Sequence, residues 1–215
     1  EIPAEVFTET FTPPITDGSG NDRKNLLKAK EILEKEGWFV ENGKLVKDGK
    51  EFKFEFLIVS PSDEKIALAY QSNLKKLGIT MDVRTVDSSQ YQERLLSYDF
   101  DMIKRYWGVS LSPGNEQQFY WGSEVGQKDG SRNYPGINSP AVDALIEKLI
   151  SATNREELTT AIHALDRVLL WGHYVVPLYH SNKDRIAYWD FFEYPDEIPL
   201  YGIVIESWWI NKDKQ

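Results

Sequence analysis

The chain has no cysteine. A zinc site of thiolates, a disulfide framework and a thiol nucleophile are therefore excluded. Histidine is scarce, with only His163, His173 and His180. There is no HExxH and no pair at helical ligand spacing, so neither a metal nor any other cofactor is expected. His173 and His180 flank YVVPLY and read as residues closing a helix and a strand. No serine stands in a GxSxG elbow, and the glycines form neither a GxGxxG nor a P-loop. Basic residues are outnumbered: 25 Lys and Arg against 34 Asp and Glu, a net charge of -9. With no basic cluster either, nucleic acid and an anionic membrane surface are not expected as partners. No apolar stretch approaches the roughly 18–20 residues of a membrane span, and no signal peptide is recognisable. The chain opens at Glu1 without Met and reads as the middle of a longer protein or a processed product.

What is present is a globular composition, 41% hydrophobic and 13% aromatic over 215 residues, enough to bury a sizeable core. Residues 1–20 carry three prolines, four threonines and two glycines, and read as an extended connector. Asn21 or Asp22 then caps a helix whose stripe is Leu26, Ala29 and Leu33, stopped by Gly37. Asn42-Gly43 and Asp48-Gly49 are hairpin turn signals. Phe52, Phe54, Phe56 and Ile58 alternate along a strand that turns apolar on both faces at Leu57 and Val59. A helix from Ser60-Pro61 to Gly78, a strand from Ile79 to Val86, a helix opened by Asp87 and Gln90, and a strand from Phe100 to Trp107 follow.

Strand, helix, strand, helix, strand implies crossovers and largely parallel pairing. The fold class expected is α/β, a mixed, largely parallel sheet flanked by helices, with the lobe over residues 21–197. Ser139-Pro140 and Asn154 with Glu157 open two further helices that should pack as a hairpin. YVVPLY, Tyr174 to Tyr179, reads as a buried edge strand or extended segment, and Arg185 to Trp189 as a short strand. Residues 198–215 form a C-terminal strand segment.

The stretch from Lys104 to Gly136 stands apart. It holds six glycines and two prolines, and seven aromatic residues lie between Tyr98 and Trp121. A long stretch without periodicity is usually functional or disordered, and disordered segments are poor in aromatics. An ordered, ligand-facing loop is expected. Trp107, Tyr120 and Trp121 either stack on a ligand or cover the core. The glycines would let backbone groups approach an extended ligand, and Asn115, Glu116, Gln117 and Gln118 add donors and acceptors beside them. Asp99 and Asp101 form the most pointed carboxylate pair, and read as a capped turn at a strand start more readily than as a glycosidase pair.

These segments carry a resemblance. A Gly-Trp after the first helix, KKLGI, ITMDVRTVD, YQERLLSYDFDM, the aromatic loop and RVLLWGHYVVPLYH resemble, in that order, the C-terminal lobe of the family 5 extracellular solute-binding proteins. These are the dipeptide, oligopeptide and nickel type of ABC importers. SLSPGNEQQFYWGSE and GSRNYPGINSPAVDALI are similar to the Yej-type oligopeptide and microcin importer subgroup.

The resemblance implies a periplasmic-binding-protein-like lobe of a two-lobed, monomeric, periplasmic or extracellular protein. It implies a peptide or peptide-like ligand held against the missing N-terminal lobe, no catalysis, and delivery to an ABC transporter permease at the membrane. The segment 198–215 would then belong with the missing lobe. The ligand wall would be Tyr106, Trp107, Ser110, Ser112, Asn115, Glu116, Tyr120, Trp121, Arg132 and Tyr134. In many members an Asp soon after the loop's Trp pairs with the ligand amine; here Gly108 to Asn115 holds no acid, and Glu116 is the first. Two other readings stay open at this point: a peptide or glycoside hydrolase using Asp99, Asp101 and His180, and a sensor or chaperone lobe.

Overall fold

The computed structural model describes residues 2–214 apart from 17, 21, 109, 110, 179–182, 184 and 201. The chain separates into two compact units, residues 1–175 and 176–215.

The first unit begins with a helical turn, α1 (Glu5–Thr8), inside the stretch expected to be extended. Buried Val6 anchors it, and the Arg167 guanidinium donates to the Val6 and Glu9 carbonyls. Helix α2 (Arg23–Lys35) is capped by Asp22, whose side chain accepts from the Asn25 N–H. None of its residues is buried, and Leu27 and Ile32 are 50% and 52% exposed. The expected stripe of Leu26, Ala29 and Leu33 is the half-buried side of the helix, and it joins none of the core clusters among the described residues.

Strands β1 (Phe39–Glu41), β2 (Lys44–Lys47) and β3 (Lys50–Glu51) form an antiparallel sheet. Both of its turns take the left-handed conformation their residue types predict. Asn42 and Gly43 have φ of 51° and 81°, Asp48 and Gly49 of 50° and 74°, as tight hairpins with right-handed strand twist require.

Strand β4 (Lys53–Ile58) is the centre of the lobe. It pairs in parallel with β5 (Thr80–Thr85) on one side and β6 (Met102–Ile103) on the other. Helix α3 (Pro61–Lys75) connects β4 to β5, and α4 (Ser88–Leu96) connects β5 to β6. The first crossover runs from β4 to β5 and the second runs back from β5 past β4 to β6, so right-handed connections put the two helices on opposite faces. The cores agree. Phe56, Ile58 and Met81 pack with Ala67 of α3, while Leu57 packs with Val86, Tyr91 and Leu95 on the α4 side. β4 is buried on both faces, as its run of apolar residues predicts. Each fully buried aliphatic such as Leu57 contributes about 2 kcal/mol of hydrophobic free energy.

Strand β6 is shorter than the run from Phe100 to Trp107 suggests. Leu57 pairs with Ile103, and β4 then turns into α3 at Ser60, whose side chain caps the helix. Beyond Ile103 no ladder partner remains. The chain leaves the sheet there, at the carboxyl end of the parallel strands, where strand order reverses. In open α/β sheets that is the ligand-binding edge.

Past the loop, α6 (Pro140–Ile150) and α7 (Arg155–Trp171) pack as the expected hairpin; α5 (Glu116–Trp121) lies inside the loop. Their core is Val142, Ile146, Leu149, Ala161, Leu165 and Val168, joined by Val6 and Ile137. The expected buried run at 174–179 is not buried over its described part. Val175, Val176 and Leu178 are 44%, 53% and 52% exposed, in no strand. The shared apolar character of such a run does not say which chain segment covers it.

The second unit holds β7 (Phe192–Glu193) paired antiparallel with β8 (Trp209–Ile210). No strand forms over the described residues of 185–189; the pairing falls three residues later, where β8 supplies the partner. Tyr188, Tyr194 and Trp208 form a ring cluster with centroids 5.0–5.7 Å apart. They line a cleft of about 190 Å³ with Ile186, Glu197 and Ile198. No helix among the described residues is long and apolar enough to cross a membrane.

Candidate functional site

The loop that leaves β6 is ordered by its own side chains. Lys104 forms an ion pair with Asp63 in the first turn of α3, and its carbonyl accepts from the Tyr91 hydroxyl at 3.4 Å. These contacts fix the loop's root on both faces of the sheet. Beyond it, the aromatics form a continuous line of rings. Trp121 and Trp107 lie 5.0 Å apart, Trp107 and Tyr134 6.4 Å, Tyr134 and Tyr98 6.3 Å, and Tyr98 and Phe100 6.1 Å. One end, Trp121, packs on the α6–α7 core. The other, Tyr134 and Phe100, packs on the Leu57 core. The core-covering alternative holds for Trp121 and for buried Tyr120, while Trp107 joins no core cluster among the described residues.

A helix, α5 (Glu116–Trp121), occupies the middle of the stretch expected to be irregular. Glu, Gln and Gln are good helix formers, and Gln117 turns inward. It is 8% exposed, and its Oε1 accepts from Trp121 Nε1 at 2.9 Å. Tyr120 is 6% exposed, with its hydroxyl donating to the Gly108 carbonyl at 2.9 Å. Tyr120 therefore braces the loop from below.

Glu116 also faces its own loop. Its Oε1 accepts from the Gly114 N–H at 2.9 Å and from Gln117 Nε2 at 3.3 Å. Burial pushes its carboxyl up, but the Gly114 and Glu116 backbone N–H groups and the Gln117 amide outweigh this and hold it below the usual carboxylate range. Among the described residues no lysine or arginine pairs with it. Asn115 is exposed at the N-cap and makes no side-chain cap bond. Ser112 is exposed, and Ser110 lies outside the described residues.

Asn133, which the sequence does not single out, is the loop's keystone. It is fully buried. Its amide nitrogen donates to the Gly122 and Ile137 carbonyls at 3.0 and 2.9 Å, and its oxygen accepts from the Ile137 N–H at 2.9 Å. Asp143 of α6 accepts from the Ser123 N–H at 2.9 Å.

On the outer side lie the groups that can meet a ligand. Tyr106 is 86% exposed and Phe119 58%. Trp107 is half-buried, its indole donating to the Arg132 carbonyl at 3.3 Å. The Arg105 guanidinium sits over the Tyr134 ring at 4.8 Å and donates to the Tyr134 hydroxyl at 2.9 Å. The surface thus brings together Trp107, Arg132, Tyr134 and Trp121, all joined by the ring line or by a bond to it. Tyr106 projects from the chain between Arg105 and Trp107.

Asp99 and Asp101 are committed elsewhere. Asp99 pairs with Arg94 Nε at 2.9 Å, and Asp101 accepts from the Glu55 N–H at 2.8 Å. Neither contact is the turn cap expected: Asp99 holds a helix arginine, and Asp101 reaches across to β4. No cluster of potential metal ligands exists among the described residues, and His180 lies outside them.

The model of the bacterial extracellular solute-binding proteins, family 5 (middle region), matches residues 1–129. The chain belongs to this family. Protein y4wM of Sinorhizobium fredii is 49% identical over 97% of this chain and 32% of its own length. The probable peptide-binding protein YejA of Agrobacterium fabrum is 41% identical over 99% of this chain and 35% of its own. The oligopeptide-binding protein AppA of Bacillus subtilis, solved with a nonapeptide, superposes with a TM-score of 0.62 at 28% identity, over 69% of this chain and 30% of that one. The chain thus spans about a third of the length of the curated relatives it matches. The fold is that of a periplasmic binding protein, and family 5 proteins are extracellular or periplasmic binding proteins that do not catalyse reactions.

Proposed function

We propose that this chain supplies one wall of the interlobe cleft of an ABC importer's substrate-binding protein. The ligand is an oligopeptide or peptide-like compound, which the intact monomeric protein delivers from the periplasm or extracellular space to a membrane permease. The observation that carries this reading is the aromatic line from Trp121 through Trp107 to Tyr134, placed at the carboxyl end of the parallel sheet. It offers large, rigid apolar area at a switch-point edge. AppA, a relative by structure, holds a nonapeptide.

In this reading Tyr106, Trp107, Trp121, Arg132 and Tyr134 face the ligand, with Ser110, Ser112 and Asn115 adding neutral hydrogen-bonding groups. Tyr120 and Glu116 hold the loop's shape instead. An amine-pairing acid is missing where the family often has one, so ligands need no free amino terminus. The segment 198–215 belongs with the other lobe; the half-exposed Trp209 and Ile210 support this, at 49% and 47%.

Native mass spectrometry of the full-length protein tests the reading. A co-purifying peptide or peptide-like compound, recovered intact, supports it. Turnover of added peptides would instead favour a hydrolase, and a protein that binds no peptide of any length would overturn it.

A further inference from the structure

We propose that Asn42 is a site of spontaneous modification. In the folded protein its side-chain amide converts, through a cyclic imide with Gly43, to aspartate and isoaspartate. The reaction needs no enzyme and no reactant besides water.

The chemistry sets the requirements. The Gly43 backbone nitrogen bonds to Asn42 Cγ and gives up its proton to a solvent base. The bond from Cγ to Nδ2 breaks, and Nδ2 takes a proton and leaves as ammonia. Water then opens the five-membered ring at one of its two carbonyls. Opening at Cγ leaves Asp. Opening at the main-chain carbonyl leaves isoaspartate, in which the backbone runs through the side chain and is one methylene longer. Ammonia leaves, water enters, and nothing is oxidised or reduced. Both the attacking nitrogen and the amide must therefore be unhindered, open to water and free of hydrogen bonds.

Three observations place these conditions at Asn42. First, of ten asparagines it is the only one followed by glycine. Asparagine is a thermolabile residue, and a following glycine puts no Cβ beside the attacking nitrogen. A Cβ built on Gly43 would meet nothing within 4 Å, so the space around it is open.

Second, the turn leaves both groups outside the ladder. Glu41 pairs with Lys44 across it, and Asn42 and Gly43 are both exposed. Among the described residues the Gly43 N–H donates to no acceptor, and the Asn42 amide makes no hydrogen bond. Other asparagine side chains are engaged. Asn133 is buried with both ends of its amide bonded, Asn154 caps α7, and Asn211 bonds Glu193 and the Asp213 N–H.

Third, the protein carries its own comparison. Asp48-Gly49 makes a turn of the same hand, with φ of 50° and 74°, equally exposed and equally open around its glycine. It presents a carboxylate, whose delocalised charge repels a nucleophile and whose oxygen leaves poorly. The two turns thus differ at the reacting carbon, and Asn42 is the one set to react.

The fold also limits the consequence. Isoaspartate lengthens the connection between Glu41 and Lys44, and a two-residue turn fixes the register it joins. The next residue, Leu45, is 3% exposed, and its N–H donates to the Gly78 carbonyl at 2.7 Å. The loss of pairing should stop there and spare the cores of β4.

The test incubates the folded full-length protein at mildly alkaline pH and maps it by mass spectrometry after digestion in acid. The peptide holding Asn42 should gain one mass unit and split into two species. One of them should accept a methyl group from an isoaspartate-directed methyltransferase. The rate should rise with pH, because the nitrogen must lose its proton. Asn42→Gln, which would need a six-membered ring, should lose the gain. Asn42→Asp keeps a residue type suited to the turn and should form isoaspartate no faster than Asp48 does. Hydrogen exchange of the isoaspartate form should quicken over 39–44 alone. An Asn42 amide that survives while other asparagines convert overturns the proposal. So does conversion seen only in urea, which would deny the folded turn any part, and so does a product without isoaspartate, which would exclude the imide.

Discussion

Asn133 and Ile137 close a two-way bridge. The Asn133 amide donates to the Ile137 carbonyl, and the Ile137 N–H returns a bond to the Asn133 oxygen, both at 2.9 Å. One side chain thereby stands in for a strand partner where the loop crosses the core. A third bond, to Gly122, ties the end of α5 to the same point. Asn133→Ala would leave the buried Ile137 N–H and carbonyl without partners, while the Gly122 carbonyl keeps the Gly126 N–H at 3.2 Å. The expected cost is about 3 kcal/mol of stability in the intact protein, at roughly 1–3 kcal/mol for each such group before relaxation and water entry. Urea denaturation measures it. Gly126→Ala should mimic part of the loss, because a Cβ there would sit 2.6 Å from Asn133 Nδ2.

Trp107 and Trp121 touch each other and should nevertheless behave differently on truncation. Trp121 packs on the α6–α7 core and bonds Gln117. Trp121→Ala is expected to cost about 3 kcal/mol of stability. Trp107 belongs to no core cluster among the described residues. Trp107→Ala should cost roughly 1 kcal/mol in stability while weakening peptide binding by at least about tenfold. Paired melting and calorimetry on both variants separate the roles.

Glu116 gives the loop a dependence on pH. Its carboxyl is held below the usual range by backbone and amide donors that outweigh burial. The folded value lies below the unfolded one, so this stabilisation is complete above the ordinary carboxylate range. It is lost as pH falls through the folded value. Glu116→Gln should flatten that part of the profile. Tryptophan fluorescence of wild type and variant, followed from about pH 7 to about pH 3, covers the window.

The parts of the fold that were legible in the sequence are those set by local chemistry. Asn42-Gly43 and Asp48-Gly49 specify left-handed turns whatever surrounds them. Ser60, Asp87 and Asn154 cap their helices because their oxygens reach the first free N–H groups. The alternation from Phe52 to Ile58 predicts a buried strand, and both cores of β4 bear it out. What stayed hidden depends on distant partners. The length of β6 is decided by where β4 ends. Helix α5 turns Gln117 inward, where it bonds the half-buried Trp121 indole. Asn133 reads as an ordinary turn residue beside Tyr134-Pro135-Gly136, and only its encounter with Gly122 and Ile137 makes it structural. Arg105 shows no pattern at all in sequence; only the fold brings it against the ring and hydroxyl of Tyr134.

The central claim is that the loop from Lys104 to Gly136 forms a ligand wall. Hydrogen exchange of the intact protein, with and without a bound oligopeptide, tests it most directly. The account predicts slowed exchange over 104–121 and 132–134 on binding, with the hairpin of β1 and β2 unchanged. Unchanged exchange throughout the loop, with protection appearing only elsewhere in the chain, would contradict it.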